Sequence, residues 1–224
     1  MYRRSTWERG NSPPNDQGSR HLLNNLESGV EQAHNFLGNG PSIGSSWGMW
    51  DDLRFDANAL KAAGVKDPAY TTCLGSGLRA YWFSPTTQEE LYFAAQMPHS
   101  WDGSAIYPHV HWFDSTGSST KADLVRWGLE YSWAEIGSTM TTASTVYIST
   151  RFPDEAITKN KHYISEFAAI TPSTNQDGMS AMLLCRLFRD STVAEDSSTN
   201  GAYLLEFDIH YRMNMIGSRQ ENTK

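Results

Sequence analysis

From residue 78 to residue 213 the chain is cut into short runs of strand-forming residues, and no helical pattern of useful length separates them. Leu78 to Phe83 ends at Pro85, Glu90 to Met97 at Pro98, and Ile106 to Phe113 at Asp114-Ser115-Thr116-Gly117. Asp123 to Ile136 ends at Gly137, Thr142 to Phe152 at Pro153, and His162 to Ile170 at Pro172. Ser180 to Phe188 gives way to a Ser/Thr/Asp/Asn/Gly loop, and Tyr203 to Met213 closes the set. Eight runs with such punctuation predict a sandwich or barrel of antiparallel strands. The missing crossover helices argue against a parallel α/β sheet. Eight strands in two packed sheets is the jelly-roll count.

Alternation assigns the faces. Side chains two apart on a strand share a face. In the fourth run Trp127, Leu129, Tyr131 and Trp133 share one face, and Arg126, Gly128, Glu130 and Ser132 the other. In the last run Leu205, Phe207, Ile209 and Tyr211 oppose Glu206, Asp208, His210 and Arg212. In the third, Val110 and Trp112 oppose His109 and His111. The apolar faces build a core. The charged faces are expected to meet water or a partner.

Residues 1–48 differ in kind. Asn11 to Gly18 is turn or coil, and Ser19 can cap a helix in which Leu22, Leu23, Leu26, Val30, Ala33 and Leu37 recur at helical spacing. Gly38-Asn39-Gly40-Pro41 ends it. The predicted organisation is an N-terminal arm with a short helix (1–48), a β-sandwich (49–217) and a tail (218–224). One helix cannot bury its apolar face alone, so the arm must dock on the body or on a neighbour. Asp51 and Asp52, following Trp47 and Trp50, read as a linker or turn.

The charge balance narrows the partners. The net charge is −7, which disfavours a main role in binding nucleic acid. Arg3, Arg4, Arg9 and Arg20 nevertheless make the first twenty residues basic. No run of eighteen apolar residues is present, no hydrophobic stretch follows Arg3 and Arg4, and synthesis in a cytoplasm is expected. Two cysteines, Cys73 and Cys185, are too few for a disulfide framework, and Cys185 in its apolar run reads as a small buried hydrophobe.

Two constellations invite chemistry. His109-Val110-His111 places two imidazoles on one strand face, about 7 Å apart. Glu130, Glu206, Asp208 or His210 could add ligands, a set suited to Fe, Mn, Ni or Zn. A cupin-like metal-dependent enzyme would use such a pair, but the glutamate that follows His-x-His at short spacing in cupins is missing. Glu206-x-Asp208-x-His210 resembles an acid–base set, yet regular alternation with Arg212 is what a charged strand face shows. Arg126 or Arg186 against Glu206 or Asp208 is the expected cross-strand ladder. The G-x-S-x-G elbow, the dinucleotide fingerprint and the phosphate-loop motif are all missing from the sequence. The expectation is therefore a non-enzymatic protein without cofactor or metal, His109, His111 and His210 being the candidates should a metal bind.

Eight tryptophans exceed what a core of this size needs. Trp82, Trp101, Trp112, Trp127 and Trp133 fall in the β region and read mostly as core, although a glycan-binding module would use an exposed one such as Trp101. Trp7, Trp47 and Trp50 are the better interface anchors. The predicted interface set is Trp7, Leu22, Leu26, Trp47, Trp50, Glu206, Asp208 and His210.

Five segments carry a resemblance: Trp50–Phe55, Ala95–Trp101, Pro108–Trp112, Leu129–Trp133 and Leu204–Tyr211. Over residues 49 to 217 the chain resembles a group of tailed-bacteriophage virion structural proteins. That resemblance implies a jelly-roll-like body, trimeric, placed in the virion on a capsid as cement or decoration, or at the neck, tail or fibre attachment. Its implied partners are its own copies and the major capsid or head–tail proteins. It implies no catalytic residues.

Overall fold

The computed structural model describes residues 49–117, 123–151, 156–218 and 221. The arm helix, Trp7, Leu22, Leu26, Trp47 and most of the C-terminal tail lie outside the described residues. Ten strands occur among those described: β1 (Met49–Asp56), β2 (Ala69–Thr72), β3 (Arg79–Phe83), β4 (Glu89–Gln96), β5 (Tyr107–Asp114), β6 (Leu124–Ala134), β7 (Ser144–Arg151), β8 (His162–Glu166), β9 (Met182–Arg189) and β10 (Ala202–Met213). A 3-10 turn, Ala57–Ala59, follows β1, capped by the Asp56 carboxylate.

Every pairing among these strands is antiparallel. One sheet runs β2-β3-β10-β5-β8, with β1 also on β10, and the other runs β4-β9-β6-β7. Without β1 and β2, the order 3-10-5-8 faces 4-9-6-7. The chain then changes sheet at every step except the β6–β7 hairpin, which is the jelly-roll path. The protein is an antiparallel β-sandwich. The eight predicted runs match β3 to β10 within two residues at most ends, the sixth alone stopping short at Glu166; β1 and β2 are additions, so Asp51 and Asp52 belong to a strand and not to a linker.

The core lies between the sheets. Trp101, Trp112, Trp127, Trp133, Phe83, Leu91, Met97, Ile106, Leu129 and Phe207 are buried there. Each such side chain contributes about 1.5–3 kcal/mol on leaving water. The Trp112 indole N–H donates to Ser165 Oγ at 2.8 Å, so the ring keeps a partner inside the core. Trp101 is only 1% exposed and stacks at a tilt on Trp133, which removes it as a glycan platform. Cys185 is buried as its sequence suggests.

One alternation fails in an instructive place. Ala202 and Leu204 point into the core, and so do Phe207, Ile209 and Tyr211. Even and odd positions can both face inward only if a residue is skipped. The register between β10 and β5 shifts between Leu204 and Glu206, and Leu205 bulges out, 40% exposed. Leu205 therefore does not share the face of Phe207, as straight alternation predicts.

The Ser/Thr/Asp/Asn/Gly loop after β9 is pinned from inside. Arg189 forms a two-pronged pair with Asp196 and donates to the carbonyls of Phe83, Ser198 and Asn200. Asp196 also accepts the backbone N–H of Arg126.

Candidate functional site

The outer face of the first sheet carries a lattice of histidines and carboxylates. Pairing register puts Asp52 of β1 beside His210 of β10, Asp208 beside His109 of β5, and Glu206 beside His111. His109 in turn pairs with Glu166 of β8. Alternate positions on four adjacent strands thus bring four of the seven histidines together, because each strand presents one polar side chain every second residue. The sequence places His109, His111, Asp208 and His210 on common faces. It does not announce Asp52, His162 or Glu166, whose strands join the lattice only through tertiary pairing.

The lattice is graded in burial. His109 and Asp208 are 3% and 4% exposed, while the side chains of Asp52 and His210 are half-exposed. The expectation that this whole face meets water or a partner is therefore corrected: its centre is already covered within the chain. His109 Nε2 lies in close contact with Asp208 Oδ1. His111 Nε2 lies 3.3 Å from Asp208 Oδ2, and His111 Nδ1 lies 2.7 Å from His162 Nε2. His210 Nε2 lies 2.8 Å from Asp52 Oδ1. At the edge, Arg54 clasps Glu206 with two contacts of 2.7 Å. That clasp is solvent-exposed on the arginine side and contributes little to stability.

Charge follows from these surroundings. Burial works against a charged His109, but the adjacent Asp208 carboxylate outweighs it and raises the imidazole's pKa. Burial lowers that of His111, and repulsion from His109 and His162 adds to it against the pull of Asp208. Neighbouring rings are thus driven in opposite directions by one carboxylate.

A cleft of about 480 Å³ opens above the lattice. Trp50, Tyr107, Pro108 and Phe167 wall it, and Asp52, His109, Glu166 and His210 offer polar groups to it. Trp50 meets Tyr107 edge-on at 5.2 Å and remains 55% exposed. Apolar walls around a few polar groups suit a small ligand or a partner's side chain.

Other predicted members lie elsewhere. Arg126 and Arg186 stand on the second sheet and cannot pair with Glu206 or Asp208. Arg186 bridges Glu90 and Glu130 at 2.6 Å each, and Arg126 meets Asp190 and Glu195. Glu130 is thereby removed from the histidines. On that same outer face Leu184 and Met182 of β9 are 62% and 41% exposed.

No family model matches this chain, and no curated protein does. Among solved structures it is similar to TmCBM61 in complex with β-1,4-galactotriose, at 11% identity and a TM-score of 0.31, over 71% of this chain and 86% of that one. It is also similar to chains in the structures of infectious bursal disease virus. For the Gx strain the identity is 10% and the TM-score 0.35, over 78% of this chain and 33% of that one. For the Gt strain they are 11% and 0.27, over 66% and 38%. The chain thus spans little more than a third of those viral chains. Overlaps of this size assign no function. Among the described residues no helix is long and apolar enough to cross a membrane.

Proposed function

We propose that the chain is a non-enzymatic structural protein of a tailed-bacteriophage virion, a cement or decoration protein that binds the capsid lattice as a homotrimer. The observation that carries the assembly reading is β9. Its Met182-Leu183-Leu184-Cys185 segment is apolar on both faces, as in a strand covered on two sides. Leu183 and Cys185 are buried in the core, yet Leu184 and Met182 stand outward in water. A sister chain supplies the second cover. The phage virion part rests on the resemblance, whose segments Trp50–Phe55, Pro108–Trp112 and Leu204–Tyr211 fall on the adjacent strands β1, β5 and β10. The trimer number rests on that resemblance alone. The arm, with Trp7, Leu22, Leu26 and Trp47, reaches the capsid lattice.

Electron microscopy of particles with the protein labelled tests the placement. Many copies spread over the shell are expected. A few copies at one vertex would move it to a neck, tail or fibre attachment, and absence from the particle would end the virion reading. A chain lacking residues 1–40 is expected to stay folded and oligomeric but to lose shell binding. Full binding by that truncation removes the clasping arm.

A further inference from the structure

The two oxygens of the buried Asp208 carboxylate meet different surroundings. Oδ2 faces His111 Nε2. Oδ1 touches His109 Nε2 but accepts a well-formed hydrogen bond from no group among the described residues. The other nitrogen of His109, Nδ1, lies 3.4 Å from the carbonyl oxygen of Tyr107. A carbonyl accepts and never donates, so Nδ1 carries a proton toward it, and Nε2 faces the carboxylate, as an N–H when the ring is charged and as a lone pair open to a metal ion once that proton is released.

His210 closes the third side. Its ring centre is 4.1 Å from that of His109, and ligand atoms of His109, Asp208 and His210 all lie within 4.8 Å of one another. Asp52 sits on His210 Nε2, which leaves the other ring nitrogen to a ligand. A carboxylate behind a histidine is the usual outer support of a metal-binding imidazole, and His111 plays the same part behind Asp208.

We propose that His109, Asp208 and His210 bind one divalent transition-metal ion of the zinc, cobalt and nickel class. Two imidazoles and one carboxylate favour these ions over calcium or magnesium. Three protein ligands leave coordination open, and the cleft beneath Trp50 and Phe167 supplies the way in. The ion ties β5 to β10 and, through Asp52, to β1. None of this depends on the assembly reading above.

The test is titration of the chelator-stripped full chain with Zn²⁺ in a calorimeter, and with Co²⁺ followed by its visible absorption. One saturable ion per chain is expected, with a raised melting temperature and a cobalt spectrum of low coordination number. His109→Gln and His210→Gln should each weaken binding at least roughly tenfold, and Asp52→Asn roughly tenfold with the stoichiometry kept. His99→Gln, away from the lattice, should change nothing. Circular dichroism checks each fold, and the half-exposed His210 and Asp52 keep the test valid if the buried His109 variant unfolds. No saturable ion, or binding that survives His210→Gln in a folded chain, overturns the site.

Discussion

Arg189 and Asp196 meet at 2.8 Å with neither side chain reached by solvent. All five donors of the guanidinium have acceptors, two of them in Asp196 and three in backbone carbonyls of β3 and the loop after β9. Arg189→Met should destabilise the fold by about 3–5 kcal/mol, because Asp196 is left charged and buried. Urea denaturation measures this. The double change Arg189→Met with Asp196→Leu should recover part of the loss, and a single variant near wild-type stability would contradict the pair's role.

Two tryptophans should respond very unequally. Trp101 is sealed in the core, so Trp101→Ala should cost about 3–5 kcal/mol. Trp50 keeps half its surface in water and loses mainly its edge contact with Tyr107, so Trp50→Ala should cost about 1 kcal/mol. Parallel melting curves compare them. Equal losses would mean that Trp50 is buried in solution.

Gly128 has no room for a side chain. A methyl group there would fall 2.2 Å from Cζ of Phe188, whose ring lies across the glycine with Tyr147 at its edge. Gly128→Ala should destabilise by about 1–3 kcal/mol through displacement of that ring. The same substitution in a Phe188→Ala background should cost much less, which a double-mutant cycle reads directly.

The Cys185 thiol is pushed up to about 12 by burial. In the native protein it should resist alkylation at pH 8 and react only on denaturation, as peptide mass mapping would show. The linkage has a definite sign. The folded-state pKa exceeds the unfolded one, so the unfolded chain gives up this proton first as pH rises. Stability should therefore fall between about pH 9 and 12, and Cys185→Ala should flatten that part of the curve. Rapid native labelling would contradict it.

Leu184→Glu places a charge on the outer face of β9 without touching the core. Self-association measured by sedimentation should weaken while the melting temperature of the dissociated chain stays unchanged. An oligomer indifferent to this change would move the subunit contact elsewhere.

Much of this architecture is legible in the residues, because turn formers and two-residue alternation are local. The runs that become β3 to β10 need no tertiary knowledge. β1 escaped because Trp50-Asp51-Asp52 carries acidic residues that strands usually avoid, and it gains strand form only by pairing with β10. β2 escaped because four residues after Pro68 leave too short a pattern. The candidate site divides the same way. That His109 and His111 share a face follows from spacing, and so does the face shared by Asp208 and His210. That these two faces abut, while Arg126 and Arg186 sit on the opposite sheet, depends on strand order, which spacing does not encode.

Leu205 has an outcome larger than its own size. Because it is skipped, the inward positions of β10 pass from even to odd numbers at that point, as a gear advanced by one tooth. Ironing that residue into the ladder would drive Glu206, Asp208 and His210 against Phe55 and Phe93 and expel Phe207 and Ile209 into water, whereas deleting it would leave Leu204 and Phe207 on the core face in plain alternation. The polar lattice and the hydrophobic interior are thus two readings of one frame, and the looping-out of one leucine sets which reading the strand keeps.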